Sequence, residues 1–347
     1  MIRWGVVLAG GTGSRFWPLS TPSRPKQLLA LIDQRPLVVN TVERFTPIVD
    51  VERILILTNE SLVAPIRSLL PAVPSENVIA EPKPAGTAAA LTWASLEISR
   101  RSADAHDAVM LSVHADWAIG DAAGFRERLT CAAEAAATHQ ALVTVGVVPT
   151  RPDPGFGYIE PGELMDSELR RVARFIEKPG RVQAERLVAA GCLWNSGIFV
   201  WRSADFLQEV ASLTPEVSAA LAQHSGDRVG FFAAVKSVSV DVGVLERSKR
   251  VVVLPGDFGW DDVGTWSALR RVRQPDADGN ASSGPVYAVD SSRNVVHAAD
   301  GVDVVLYGVN DLVVVVQRDL TLVTSIERAA DLKELLTHLP PSVRDRS

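Results

Sequence analysis

The sequence predicts an α/β fold: a Rossmann-like, mixed but mostly parallel sheet with helices on both faces, followed by a small C-terminal β module resembling a short β-helix. Three observations carry this expectation. Short apolar runs alternate with helix-period segments through the first half of the chain, the mark of parallel strands joined by crossover helices. A glycine-rich turn follows the first apolar run directly. Beyond residue 284 the helical period gives way to short β-type runs separated by turn residues.

In order, GVVLAG reads as a buried strand and RILILTN (53–59) as the next, with a helical segment through 60–70. DAVMLSV (107–113) and ALVTVGVV (141–148) read as further central strands. The segments 86–101 and 124–139 carry apolar positions at helical spacing and are expected to cover the two faces of the sheet. After residue 150 the pattern is mixed: RVARFIEKP, GIFVWR and SVSVDVGVLER suggest further strands and hairpins. QPDADGNASSG (274–284) reads as a linker. It divides a main domain, 1–273, from a module, 285–347, in which VYAVD, NVVHAA, VDVVLYG, LVVVVQ and LTLV suggest a few β-helical coils closed by a helix near 327–338.

Bulk properties narrow the function classes. A chain of 347 residues can bury a large core and is long for one simple domain. Its 47% apolar and 22% charged residues place it with soluble globular proteins. A net charge of −6 argues against nucleic acid or an anionic membrane as partner, so any phosphate must be bound by a local pocket. The N-terminal apolar run is too short and too soon broken by glycine for a signal peptide, and no stretch reaches the length of a membrane span. Cys131 and Cys192 are the two cysteines, which leaves no disulfide framework or thiolate zinc site and fits a cytoplasmic protein.

The chemistry begins at LAGGTGSRFWPLSTPSRPKQLL (8–29). Glycines there let the backbone approach a ligand and aim N–H groups at anionic oxygens. A dinucleotide-binding loop does not fit, because Phe16 stands at the third glycine position and Pro18 and Pro22 interrupt any helix. A Walker loop is excluded by the missing G-K-[ST]. Arg15 and Lys26 flank the turn with positive charge, which phosphoryl transfer requires. Asp116, in HADWAIG, follows a predicted central strand, where ligands of open α/β sheets gather. GWDDVGTW (259–266) supplies further carboxylates, and Mg²⁺ takes one or two of these together with phosphate oxygens. Glu81, heading EPKPAGTAAALTWAS, can accept the adjacent N1–H and N2 amino donors of guanine, an edge that adenine lacks. Glu177 and Lys178 in FIEKP, and Asn195 in LWNSGIFVW, are side chains of the types that hold sugar hydroxyls and a sugar phosphate.

These motifs resemble, in order across residues 8–266, those of the sugar-nucleotide pyrophosphorylases, and the FWPLS and PKQ forms are similar to the mannose-1-phosphate guanylyltransferase branch. The resemblance implies a nucleotide-diphospho-sugar transferase fold. It also implies that Leu8, Ala9, Gly10, Gly11, Thr12 and Gly13 wrap a triphosphate that Arg15 and Lys26 neutralise. By the same resemblance Glu81, Pro82, Gly86 and Thr87 bind the nucleotide, and Asp116 and Asp262 bind Mg²⁺, with Asp261 at a variable position. Gly157, Glu177 and Asn195 would hold the hexose and Lys178 its phosphate, while Asp241 in SVDVGVLE supports the site or the fold. Trp117 and His114 stand where the family carries His and Pro, and GTAAA where it carries NTAPA. The implied reaction joins GTP and mannose 1-phosphate into GDP-mannose and pyrophosphate, in a homodimer formed through the C-terminal module. Alternatives are a transferase for another sugar 1-phosphate, such as glucose or a heptose, and a non-catalytic sugar-nucleotide-sensing subunit.

Overall fold

The computed structural model describes residues 1–11, 14–104 and 106–344. They form two compact units interleaved along the sequence. One comprises Met1–Gly10, Val42–His114 and Asp121–Trp260; the other comprises Gly11–Thr41, Ala115–Gly120 and the chain from Asp261 onward.

The first unit is built on a sheet that contains, among the described residues, nine strands. The predicted parallel half is present. β1 (Ile2–Leu8), β2 (Ile54–Asn59), β3 (Val78–Glu81) and β4 (Ala108–His114) run parallel in the order β3-β2-β1-β4. Their apolar runs are nearly continuous because both faces are covered. Helices α1 (Leu37–Phe45), α2 (Glu60–Leu69), α3 (Gly86–Arg101) and α4 (Ala122–His139) include the two predicted from their period. Alternate side chains of β1 show how the faces are divided. Trp4, Val6 and Leu8 share a core with Ala88, Leu91 and Ile98 of α3. A side chain on Gly5 would instead meet Phe45, whose ring lies against Phe125 of α4.

Beyond the two-residue strand β5 (Ala118–Ile119), the sheet continues with β6 (Leu142–Val147), β7 (Tyr158–Asp166), β8 (Leu169–Ile176), β9 (Leu193–Arg202) and β10 (Val251–Gly256). β9 lies antiparallel between β4 and β6, while β6 and β10 are parallel. Helix α5 (Arg181–Ala189) precedes β9. Three helices follow it: α6 (Ser203–Leu213), α7 (Pro215–His224) and α8 (Arg228–Ala234). They have no counterpart in the sequence reading. SVSVDVGVLER was expected to form a strand or hairpin and does not. Residues Asp241–Leu245 form a wide helical turn instead. Two of its alternating valines are drawn inward, with Val240 and Val244 fully buried in the core shared with α3 and α6, while Val242 is exposed.

The second unit contains the C-terminal β module. After the short strand β11 (Trp260–Asp261), strands β12 (Ala281–Ser283), β14 (Val295–Ala298) and β16 (Leu312–Val316) stack in parallel, and β17 (Thr321–Ser325) closes the stack antiparallel. β13 (Val286–Val289) and β15 (Val304–Tyr307) form a second parallel pair. Val296, Val304, Leu306 and Val314 fill the space between these faces, which is the cross-section of a short β-helix. Asn280 and Asn294 run up one corner: Asn280 Oδ1 accepts from both nitrogens of Asn294, and Asn294 Oδ1 accepts from Leu312 N–H. The segment read as a linker ends in β12, and Asp276 caps it by accepting from Asp278 N–H and Asn280 N–H.

A second core in this unit joins Phe16, Trp17, Leu29 and Leu31 to Trp266, Val295, Val313 and Leu332. The chain just after the glycine turn therefore packs with the C-terminal strands. Among the described residues, no helix is long and apolar enough to cross a membrane.

Candidate active site

In the first unit, the predicted nucleotide residues gather at the carboxyl ends of the parallel strands, where open α/β sheets bind ligands. Leu8 and Ala9 are buried at the end of β1. Ala9 N–H donates to Leu57 O, and Ala9 O accepts from the Thr58 hydroxyl at 3.0 Å. This fixes the backbone direction as the chain emerges at the exposed Gly10. Glu81 ends β3, and a side-chain carbon on Gly10 would lie 3.8 Å from its Oε1. Burial pushes the Glu81 carboxyl up to about 7, since a low-dielectric site disfavours the ionised form. Pro82 is exposed beside it. Gly86 and Thr87, at the start of α3, face the 238–240 segment. Gly86 has φ +81, and a Cβ there would collide with Val238 O. Thr87 Oγ1 accepts from Val240 N–H at 2.8 Å.

The predicted sugar residues also come together in this unit. Asn195 N–H donates to Gly157 O at 2.8 Å. A side chain on Gly157 would reach within 2.7 Å of Glu177 Oε2, so the glycine and the carboxylate lie side by side. Asn195 Nδ2 donates to Asp241 Oδ1 at 2.7 Å. Lys178 is exposed, with Nζ 3.4 Å from Glu177 Oε1. Its φ of +42 is uncommon for a residue with a side chain. One group escaped the sequence reading: the Arg151 guanidinium lies over the rings of Phe156 and Trp194, at 5.4 and 5.0 Å. Trp260 completes that aromatic cluster. An arginine before a Pro/Gly turn gives no periodic signal that would have marked it.

In the second unit, Lys26, Asp116 and Asp262 meet. The Lys26 side chain is only 8% exposed and donates to Asp116 Oδ2 at 3.0 Å. It also donates to the Asp262 main-chain oxygen. Burial pushes the Asp262 carboxyl up, and the charges of Asp261 and Asp116 push the same way. Lys26 and the Gly264 N–H pull it down. The adjacent aspartates are thus distinguished. Asp261 is 5% exposed and paired with Arg271 Nε at 2.8 Å, whereas Asp262 faces the lysine and Asp116. The turn is strained, because Val263 holds φ +48, a costly conformation for a β-branched residue and one concentrated at functional sites. Gln27 Nε2 donates to Gly11 O at 3.3 Å, while Gly11 and Arg15 are exposed. Thr12 and Gly13 lie outside the described residues. Trp117 is buried, in keeping with a packing role. Among the described residues, no group of three or more His, Cys, Asp or Glu is arranged to hold a metal.

The family model for nucleotidyl transferases matches residues 4–279. The chain belongs to the nucleotidyl transferase family. The model for the MannoseP isomerase/GMP-like beta-helix domain matches residues 284–339. Mannose-1-phosphate guanylyltransferase ManC of Salmonella typhimurium is 36% identical over 95% of this chain and 72% of its own length. Mannose-1-phosphate guanylyltransferase of Klebsiella pneumoniae is 35% identical over 98% and 74%. A crystal structure from Thermus thermophilus, described as a mannose-1-phosphate geranyltransferase, is 31% identical with a TM-score of 0.87, covering 97% of this chain and 99% of that one. As a member of the nucleotidyl transferase family, the chain is an enzyme that transfers a nucleotidyl group.

Proposed function

We propose that this nucleotidyl transferase transfers GMP from GTP to α-D-mannose 1-phosphate, giving GDP-mannose and pyrophosphate. The observation that carries the proposal is the meeting of Lys26, Asp116 and Asp262, a cation and two carboxylates from distant parts of the sequence. The names of the relatives supply the sugar and the base. The carboxylate at the end of β3 suits guanine, whose N1–H and N2 amino group it can accept together.

The sugar phosphate is already an anionic nucleophile, so no general base is required. One of its oxygens attacks the α-phosphorus, and the bond to the pyrophosphate oxygen breaks. Catalysis then rests on positioning and charge neutralisation. In this reading the backbone of Leu8–Gly13 cradles the triphosphate, Arg15 and Lys26 offset the leaving pyrophosphate, and Lys178 orients the attacking phosphate. Glu81, with Pro82, Gly86 and Thr87 shaping its segment, reads the base. Gly157, Glu177 and Asn195 hold the hexose. Asp116 and Asp262 fit a hard divalent cation, since both are oxygen donors and repel one another until a positive charge lies between them. Mg²⁺ held there would supply charge stabilisation to the reacting phosphates. Lys26 supplies positive charge to the same carboxylates and turns to phosphate during turnover.

The same proposal includes a cytoplasmic location, in keeping with the free thiols of Cys131 and Cys192. It also includes a homodimer through the C-terminal module, where Tyr287, Val305 and Tyr307 are exposed. The decisive measurement is pyrophosphate release with GTP, UTP, dTTP or ATP, each against mannose 1-phosphate and glucose 1-phosphate. GTP with mannose 1-phosphate is expected to be fastest. A preference for another pair would replace the substrate assignment, and no release with any pair would leave a sensing subunit.

A further inference from the structure

We propose that Asp241 is a positioning residue for sugar recognition: it fixes the side-chain amide of Asn195, and Thr87 in turn fixes Asp241. The inference rests on reading Asn195 as a sugar-binding side chain and concerns how that side chain is aimed.

An asparagine amide can present its oxygen or its nitrogen to a ligand, because the two ends have almost the same shape. An ionised carboxylate removes this freedom, since it can only accept. Asn195 Nδ2 donates to Asp241 Oδ1 at 2.7 Å. The amide nitrogen is thereby turned to Asp241, and the carbonyl oxygen points the opposite way. Among the described residues, that oxygen has only a long contact, 3.5 Å, with Gly197 N–H. It remains available as an acceptor for a hydroxyl. The main chain of Asn195 is fixed separately, through the N–H bond to Gly157 O at 2.8 Å and by the bulge at which β9 shifts register against β6.

Asp241 can act in this way only if its own place is fixed. The wide turn that it opens is fastened at its start and at its middle. Val240 N–H donates to Thr87 Oγ1 at 2.8 Å, and the Thr214 hydroxyl donates to Gly243 O at 2.8 Å. Within the turn, Glu246 N–H donates to Asp241 O and Gly243 N–H to Ser239 O. The close approach of Gly86 to Val238 sets the start of the same segment. A continuous hydrogen-bonded path thus runs from the beginning of α3, through the turn, to the amide of Asn195. Thr87, read from sequence as a nucleotide residue, aligns the sugar side of the site by this route.

The test is a double-mutant cycle on the full chain, using Asp241→Asn, Asp241→Ala, Asn195→Ala and the Asp241→Ala/Asn195→Ala pair. Thermal melting checks that each variant folds. Asp241→Ala is expected to raise the KM for mannose 1-phosphate by about 10- to 100-fold, the scale of a mispositioned contact. The KM for GTP should stay within about twofold. Asp241→Asn, which still accepts a hydrogen bond but allows both amide orientations, should fall between Asp241→Ala and the parent enzyme. The double variant should be no worse than Asn195→Ala alone, since Asp241 acts through Asn195. Additive losses, or an equal rise in the KM for GTP, would overturn the inference. A parent enzyme inactive with GTP and mannose 1-phosphate would instead overturn the functional reading beneath it. An unimpaired Asn195→Ala variant would overturn the role of Asn195.

Discussion

Glu81 carries a sharp expectation at the level of a single side chain. Its carboxyl is raised to about 7 by burial, yet only the ionised form can accept both guanine donors. GTP affinity should therefore rise by roughly tenfold between about pH 6 and pH 8, as the ionised fraction grows. Glu81→Gln should be weaker and flat with pH. A parent enzyme whose GTP affinity ignores pH would remove Glu81 from base recognition. The sign for stability is opposite to that for binding. A carboxyl with a raised folded-state pKa favours the folded protein below its ordinary value of 4.5, and this contribution is lost as pH rises through about 7. Without nucleotide, Glu81→Gln should melt higher than the parent at alkaline pH.

Asp262→Asn removes half of the carboxylate pair and should lower turnover by at least about 100-fold. Near-normal turnover at saturating Mg²⁺ would exclude it from the mechanism. Lys26→Met gives a complementary result. With the ammonium gone from Asp116 and Asp262, Mn²⁺ should bind the nucleotide-free protein more tightly in an electron-paramagnetic titration while catalysis falls. Unchanged Mn²⁺ affinity would show that the lysine and the cation do not share a place.

Among the elements, the most exacting join in the second unit is made by Arg273, only 6% exposed. It donates to Leu31 O at 2.7 Å, to Val296 O at 3.2 Å, and lies 3.2 Å from His297 Nδ1. It thus ties the segment after the glycine turn to the β-helical strands. Arg273→Met would strand two buried carbonyls and should cost about 2–4 kcal/mol of stability. His297 is pushed down to about 4, first by burial and then by the charge of Arg273. Its neutral form is the folded one. The associated stability is present above about 6.5 and lost as pH falls through about 4. Urea titrations should show a loss of stability across that window, and His297→Gln should remove it.

What the sequence made legible, and what it did not, also sorts by element. The runs that became β1, β2, β4 and β6 were visible because a sheet covered on both faces needs uninterrupted apolar residues. The helices 86–101 and 124–139 showed their period. Asp116 and Asp262 could be named because HADWAIG and GWDDVGTW resemble the family's motifs in order; an aspartate after a strand or in a turn would by itself have read as a cap. The 237–247 segment misled, because S-V-S-V-D-V-G-V alternates as a half-buried strand does. Long-range bonds from Thr87 and Thr214 overrode that local preference. The three helices between Ser203 and Ala234 are short and closely joined, so their periods broke before they could be read. The pairing of Lys26 with Asp116 spans ninety positions and leaves no local trace.

For the molecule as a whole, the interleaving of its two units makes the C-terminal module a structural requirement. Truncation after Gly279, at the end of the nucleotidyl transferase match, removes Val295, Val313, Leu322 and Leu332 from the core that holds Phe16, Trp17, Leu29 and Leu31. The truncated chain should aggregate or melt without a cooperative transition. A soluble fragment with unchanged melting and GTP binding would show that the module is dispensable. Tyr307→Asp, on the exposed outer face of β15, should shift a homodimer toward monomer in sedimentation, and an unchanged mass would move the interface elsewhere.

The placement of Phe16 and Trp17 has a consequence for biosynthesis. Phe16 and Trp17 are translated well before the C-terminal strands that share their core. The emerging polypeptide must carry two large aromatic groups without those partners until the strands are made, a window in which chaperone capture and misassociation compete with completion of the fold.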